Sequence, residues 1–401
     1  MIPELRREYN ERFDQRRYEL FLERLDRRFV QPISFRLCET PFFVPTWMQK
    51  MCESSAIELA QLVHSPDYLR RSDESLTPEV TVPGQTGHAN FIVVDYAMAL
   101  DEEGAVVPRL IELQGFPSLM GYQLLLAEII HEHFALPTDL SYINGGLSRT
   151  ELLDLMRRTI VADHAPDQTI LMELDPWNQK TSPDFRATTE LLGIPVVDAR
   201  DVIVRGDKVS YRDDRGREIP VTRIFNRTIV DELQKKNVTL PFNWSDELDV
   251  TWAGHPNWFF RISKFSLPFL DHPVVPPASF LSDVDRIPDD LENHVLKPLY
   301  SFAGSGVIVG PTRDDIAAVP EEERHLYLLQ KKITFADVID TPVGGLKAEM
   351  RVMLLWPDDA LAPIPAMGLV RMGRGEKMGV DANSAGGWIG ASCNFFEGRE
   401  G

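Results

Sequence analysis

Glu112 and Gln114 stand two residues apart in the apolar stretch "LIELQGFPS", Leu110 to Ser118. Side chains two apart on a strand share a face. A carboxylate and a carboxamide oxygen side by side suit a hard cation, which takes oxygen ligands. A second group lies almost two hundred residues later, in "HVLKPLYSFAGSGVIVG", His294 to Gly310. Lys297 ends an apolar run there, Pro298 cannot donate to a strand ladder, and Gly304, Ser305 and Gly306 form a small turn. Backbone N–H groups that no side chain obstructs, next to an ammonium, make a phosphate cradle. This turn leads into the β-branched "GVIVG", so it joins two strands; a Walker loop opens a helix and carries Gly-Lys-Ser/Thr.

Other charged residues sit in apolar surroundings. Arg351 lies within "AEMRVMLLW", where an unpaired guanidinium would be costly, so it requires a ligand or an acidic partner. Lys264 opens a helix-like stretch, and the sequence near the end holds Arg371, Asn383, Gly386 and Gly387. Asn226 and Arg227 in "IFNRT" are candidates to bind a substrate, or to pair with a neighbouring carboxylate. His131 and His133 in "EIIHEHF" have the wrong spacing for one helix face and read as structural. The aromatic run "HPNWFFRISKF" reads as core packing.

The elements that position these groups derive from hydrophobic period. "NFIVVDYAMAL" and "VVPRLIELQ" flank the acidic turn "DEEGA", which predicts a β-hairpin. Folding it about Glu103–Gly104 sets Asp95 opposite Glu112 and adds a third oxygen ligand to that face. Residues 4–30 predict one amphipathic helix, with Leu5, Tyr9, Phe13, Phe21, Leu25 and Phe29 near a helical repeat, and residues 53–70 repeat the pattern. From 150 to 240 the texture is alternating strand and helix, with "QTILMEL" and "IPVVDA" as strands around the helix "DFRATTELLG", and a hairpin in "VIVRGDKVSYRDDRGREIPV". This predicts a small parallel sheet. "VTRIFNRTIVDEL" reads as a buried strand entering a helix.

The chain of 401 residues carries a formal charge of -19. That balance argues against a nucleic-acid or anionic-membrane partner, since phosphate backbones reward a basic stripe. No run approaches the roughly 18 apolar residues of a membrane-spanning helix, and the charged start "MIPELRREYNERF" has no apolar signal-peptide core. Three cysteines without metal-type spacing fit free thiols in a reducing cytoplasm.

The ordered set (lysine helix, "PPASF", strand-"KP"-glycine loop, "LQKKI", "E-x-R-V" strand, then "R…N-S-A-G-G") resembles the ATP-grasp superfamily. The early hairpin supplies the metal-binding strands that such chains usually carry last. The chain is therefore similar to the circularly permuted ATP-grasp proteins of the glutathionylspermidine synthetase-like group. The resemblance implies an α+β / α/β fold: a permuted ATP-grasp core, an added α/β substrate-side domain, and N-terminal helices. Its parts would be an N-terminal addition (1–86), permuted strands with the metal hairpin (87–149), an α/β domain (150–262), a nucleotide-binding subdomain (263–345) and a second subdomain (346–401) completed by 87–125. It also implies that the hairpin is joined in space to the segment after Gly387.

By the same resemblance, Lys264 and Lys297 would contact the ATP phosphates, under a lid of Gly304, Ser305 and Gly306. The backbone at Gln330, Lys331 and Ile333 would meet adenine, and Asp337 the ribose. Asp95, Glu112 and Gln114 would hold magnesium, with Gln114 departing from the asparagine usual there. Arg351, Arg371 and Asn383 would face the transferred phosphoryl group, and the Gly386–Gly387 backbone a substrate carboxylate. The implied activity is ATP- and magnesium-dependent ligation of a small-molecule carboxylate to an amine through an acyl-phosphate, on an amino acid or small peptide. A nucleotide-binding regulatory protein and a phosphotransferase are the alternatives.

Overall fold

The structure is a computed structural model describing residues 1–401 except 31, 231–232, 234–237, 301–305, 376–385 and 399–401. The predicted first helix is two: α1 (Pro3–Arg12) and α2 (Gln15–Phe29). Asp14 breaks it, because its side chain accepts from the Arg17 N–H at 2.7 Å and so caps α2. Helix α2 buries Tyr18, Phe21, Leu25 and Phe29. After β1 (Phe42–Val44), the second predicted helix is likewise α3 (Thr46–Leu62) and α4 (Pro66–Ser72). Ser65 caps α4 and Pro66 sits at its first position, where a missing N–H costs nothing.

Strands β2 (Phe91–Leu100) and β3 (Val106–Gln114) form the expected hairpin. Helix α5 (Met120–His133) is apolar on nearly every side and runs through the interior, burying Leu124, Leu125, Leu126 and Ile130. Helix α6 (Arg149–Ile160) starts with a capping box between Ser148 and Glu151. Then come β4 (Thr169–Glu173), α7 (Ser182–Leu192) ended by Gly193, and β5 (Val196–Asp198). The predicted hairpin is a three-stranded meander of β6 (Ile203–Arg205), β7 (Lys208–Arg212) and β8 (Glu218–Val221). Strands β9 (Arg223–Asn226) and β10 (Thr251–Ala253) complete a parallel sheet in the order β10-β9-β4-β5. The predicted parallel sheet is therefore present; the helix expected after β9 falls largely outside the described residues.

Helix α8 (Asn257–Arg261) and a 3-10 turn at Lys264–Phe269 lead to a second sheet. It contains β11 (Ala278–Phe280), β12 (His294–Pro298), β13 (Ile308–Val309), and, past α9 (Arg313–Ala317), β14 (Tyr327–Lys331). Its order is β11-β14-β12-β13. Leu296 pairs antiparallel with Ile308, so β12 and β13, on either side of the glycine segment, are neighbouring strands as expected.

The last strands are β15 (Asp337–Ile339), β16 (Leu346–Leu355), β17 (Ile364–Gly373), β18 (Gly390–Ser392) and β19 (Asn394–Phe396). They take in the early hairpin as one sheet, β18-β17-β16-β2-β3, with β15 paired to β16. The hairpin docks on β16, at the far side of the sheet from β18; the expectation that it joins the segment after Gly387 is corrected. One face of this sheet is apolar: Val94, Tyr96, Met350, Val352, Val370 and Met372 are all buried in the main core, and α3 and α5 pack on the sheet. The Tyr96 hydroxyl lies 2.8 Å from the Ser55 hydroxyl on α3. By alternation the other face is polar, and it carries the candidate site.

Candidate functional site

Cross-strand register sets the polar face. Asp95 on β2 stands opposite Glu112 on β3, as expected, and opposite Arg351 on β16. Tyr96 pairs with Leu110, so one residue, Ile111, is extra on β3 and forms a bulge. The bulge restores the facing of Asp95 and Glu112 that the turn alone would miss by one. Glu349 pairs with Arg371 on β17, and two residues along β16 lies Arg351. Glu112, Gln114, Asp95, Glu349, Arg351 and Arg371 therefore share one face.

Arg351 grips Asp95 bidentately, Nε to Oδ1 at 2.6 Å and Nη2 to Oδ2 at 2.5 Å. Arg371 lies 3.6 Å from the same carboxylate and donates to Glu349. Burial acts to raise the Asp95 carboxyl, but the two guanidiniums outweigh it and hold the carboxyl below its usual range. Burial with Asp95 nearby raises Glu349 against the pull of Arg371. Arg371 is held above its ordinary value because Glu349 and Asp95 overcome its desolvation. The acidic partner that Arg351 required is Asp95.

At the hairpin end the contacts are longer. Lys264 Nζ is 3.8 Å from Glu112, whose other oxygen accepts from the Gln114 amide. Lys297, on β12 of the second sheet, reaches across to donate to the bulge carbonyl of Ile111 at 3.3 Å. Desolvation pushes the Lys297 ammonium down to about 8, with Lys264 adding to the fall and Glu112 opposing it. Gly115 lets this end close. A Cβ there would lie 2.4 Å from the Trp258 carbonyl, and its N–H donates to the Ile262 carbonyl at 2.7 Å.

The remaining predicted residues are more scattered. Gly306 adopts φ +72, where a Cβ would press on Pro298 at 3.0 Å. Gly304, Ser305 and Asn383 lie outside the described residues. Gln330 is inside the ladder, opposite Val295 and Ala278, and the Lys331 N–H is already donated to the Pro277 carbonyl. The Lys331 ammonium pairs with Asp290 at 2.8 Å. Ile333 comes after β14, half-buried, and Asp337 is an exposed β15 residue opposite Lys347. Gly386 and Gly387 precede Trp388, whose N–H donates to Glu39 at 2.7 Å. That carboxylate comes from the N-terminal segment, which bridges β18 through Leu37 and Ala391.

Arg227 sits just past β9 at the carboxyl end of the parallel sheet and pairs with buried Asp184 at 2.6 Å. Of the two readings left open for it, the carboxylate pairing is present. Asn226 holds its own turn, accepting from the Thr228 N–H at 3.1 Å and from the Thr228 hydroxyl. His131 and His133 each contact a backbone carbonyl, of Pro137 and Arg17, and are structural as expected. Trp258 and Phe265 are core residues, as expected of the aromatic run.

The predicted oxygen triad does not assemble as three available ligands. Both Asp95 oxygens are taken by Arg351, and among the described residues no group of three or more carboxylate, imidazole or thiol ligands converges for a metal ion. Glu112 and Gln114 offer the oxygen types magnesium takes, an ion that commonly uses one or two protein oxygens and completes its shell with water and phosphate; in this structure Glu112 Oε1 accepts from the Gln114 amide. Two residues escaped the sequence reading. Glu349 was signalled by the period-two "E-M-R" beside Arg351. Ser118 links two sheets, accepting from Arg351 Nη1 at 2.9 Å through its hydroxyl and from Arg227 through its carbonyl at 3.4 Å; only its place after "GFP" hinted at this.

No family profile matches the chain, and no curated protein matches it. Among solved structures, the fold is similar to that of a glutathione synthetase-like effector from Globodera pallida in apo form. The TM-score is 0.54 at 11% identity, covering 91% of this chain and 90% of that one. This likeness is one of fold. A chain from Methylobacillus flagellatus bearing the name of gamma-glutamylcysteine synthetase aligns at 13% identity over 84% of this chain and 87% of its own, with a TM-score of 0.37, too low to carry an argument. Among the described residues no helix is long and apolar enough to cross a membrane.

Proposed function

We propose that this chain is an ATP- and magnesium-dependent carboxylate–amine ligase on a circularly permuted ATP-grasp core, with an amino acid or small peptide among its substrates. The observation that carries the reading is the convergence of two lysines on one end of the polar face. Lys264 stands 3.8 Å from Glu112, and Lys297 donates across the seam to the Ile111 carbonyl at 3.3 Å. Both ammoniums lie beside Glu112 and Gln114. The fold shared with a protein named for glutathione synthetase supports it further.

In this reading Lys264 and Lys297 neutralise the phosphates of ATP, and Glu112 and Gln114 would hold magnesium, which would supply further neutralisation of the phosphate charge. A substrate carboxylate oxygen attacks the terminal phosphorus and ADP leaves. The amine then attacks the acyl carbon, phosphate departs, and the amine gives up a proton. Arg371, with Arg351 locked behind it on Asp95, stabilises charge on the transferred group. Arg227 and Ser118 line the substrate side, between the parallel sheet and the site sheet. The division into an N-terminal addition, an α/β domain and two grasping subdomains belongs to the same proposal.

Purified protein should release ADP from ATP and magnesium when given pools of amino acids, small peptides and polyamines, and the product should contain no phosphate by mass spectrometry. Glu112→Gln should abolish the magnesium-dependent turnover while thermal unfolding stays close to wild type; activity that survives would contradict the reading. A second reading is a nucleotide-binding module without ligase chemistry, favoured by the commitment of Asp95 to Arg351. Such a protein would be stabilised by ATP–magnesium and show no turnover with any pool.

A further inference from the structure

Residues 81–90 lead into β2 without helix or strand of their own, and side chains from elsewhere hold them in place. Asn257 brackets Val82, accepting from its N–H at 2.9 Å and donating to its carbonyl at 3.0 Å. The Gln85 amide oxygen accepts from Arg261 Nε at 2.9 Å, and the Thr86 hydroxyl from Trp258 Nε1 at 2.9 Å. Two imidazoles complete the attachment. His255, just past β10, meets the Pro83 carbonyl through Nε2 at 3.0 Å, and His64, just past α3, meets the Ala89 N–H through Nε2 at 3.0 Å.

The partners of each ring fix its protonation. A backbone N–H only donates and a carbonyl only accepts. His64 Nδ1 lies 2.6 Å from the Ala60 carbonyl, so Nδ1 carries the proton and Nε2 accepts from Ala89. His255 is the other tautomer: Nε2 donates to Pro83, and Nδ1 accepts from the Asn257 N–H at 3.3 Å. Both rings are therefore neutral in the closed form, because an imidazolium has two donors and no acceptor. A proton added to either ring would set a donor against a backbone N–H.

The surroundings oppose that proton. His64 lies between the indoles of Trp258 and Trp356, each centre 4.9 Å away. Its charged neighbour is His88, which stacks on Trp356 and is itself faced by Asp358. Burial pushes His64 down to about 4 against the pull of the Ala60 carbonyl, and His88 adds to the fall. His255 is buried beside Trp252 and faces Arg261, which pairs with Asp73 at 2.6 Å. Burial pushes it down to about 4 as well, with the Pro83 carbonyl opposing and Arg261 adding.

We infer that His64 and His255 form an acid-sensitive clip, which holds residues 82–89 against α3 and α8 when neutral and releases them on protonation. The ladders of β2 to β3 and β16 use neither ring, so the sheets stay folded on release. The sign is definite. A released imidazole titrates at its ordinary 6.5, so the open form binds protons more readily than the closed one. Opening is favoured as pH falls from 6.5 toward 4. Release frees the approach to β2, the strand that carries Asp95.

Amide hydrogen exchange on the full chain tests it, corrected for the intrinsic pH dependence of exchange. It is followed at Ala89, at Asn257 and, for the core, at Val352 within β16. From pH 7 to pH 5 the opening at Ala89 should increase at least about twentyfold, the factor for one imidazole lowered from 6.5 to about 4 on closing. Asn257 should show a similar rise, and Val352 should stay better protected than either throughout. His64→Gln, whose amide donates and accepts without titrating, should cut the increase at Ala89 by that same factor and leave a rise at Asn257. Opening at Ala89 that does not change with pH overturns the clip. So does Ala89 exchanging no faster than Val352, since the segment would then open only with the whole fold. A folded His64→Gln protein with an unchanged Ala89 profile overturns it too.

Discussion

On one part of the polar face Asp95 and Glu349 meet Arg351 and Arg371, with the bidentate pair at 2.5 and 2.6 Å; at the hairpin end Lys264 stands 3.8 Å from Glu112, and Lys297 donates to a carbonyl at 3.3 Å. The first group balances two carboxylates with two guanidiniums. The second brings the Lys264 and Lys297 ammoniums to the Glu112 carboxylate at longer range. Both groups are largely buried, so the contrast is not one of exposure. A buried pair with good geometry sets its mutual attraction against a desolvation cost of several kcal/mol per ion. Burial without so close a partner pushes the Lys297 ammonium down to about 8, and Glu112 opposes that fall only in part. The closed group fastens β2, β16 and β17 together and holds Arg371 in place on that face. The open group is where an anionic ligand would gain most.

The largest expected effect breaks the closed group. Asp95→Ala leaves Arg351 buried without its partner and should cost about 3–5 kcal/mol in urea unfolding. Replacing both Asp95 and Arg351 by leucine should restore most of that loss. A mild effect of Asp95→Ala alone would place Asp95 with the open group.

The next effect concerns the open group and has a definite sign. Lys297 ordinarily titrates at 10.5 and is pushed down to about 8 in the fold, so the unfolded chain holds its proton more firmly between those values. Stability should therefore rise with pH from 8 toward 10.5, by up to about 3 kcal/mol from this group. Affinity for ATP should fall over the same range as the ammonium is lost. Both trends should vanish in Lys297→Met, read by pH-dependent unfolding and by calorimetry.

How much of this was legible in the sequence depends on the range of each signal. The hairpin was marked by its turn, a local feature, and Asp95 does face Glu112. It does so through a bulge at Ile111 that no turn count predicts. The lysines were marked by glycine, proline and apolar context within a few residues of each. The partners of Arg351 and Arg371 were harder: Asp95 lies 256 positions from Arg351 along the chain, and nothing in either strand names the other. The same holds for Glu39 reaching Trp388 and for Ser118 between two arginines. Helix breaks at Asp14 and Ser65 were legible in principle, since both are favoured capping residues. The apolar period across each break was the stronger pattern and concealed them.

The smallest effect sharpens the boundary between the two groups. Ser118→Ala removes one hydroxyl acceptor from Arg351 and should cost about 1 kcal/mol, with Asp95 still in place. A loss as large as that of Asp95→Ala would mean that the closed group extends into the substrate side.

The central claim is that the open group exists to bind nucleotide phosphates, and Lys297→Met tests it most directly. Calorimetric titration with ATP–magnesium near pH 7 should show affinity reduced by about a hundredfold or more, in a variant that unfolds no earlier than wild type. Unchanged affinity in a folded Lys297→Met protein would contradict the account.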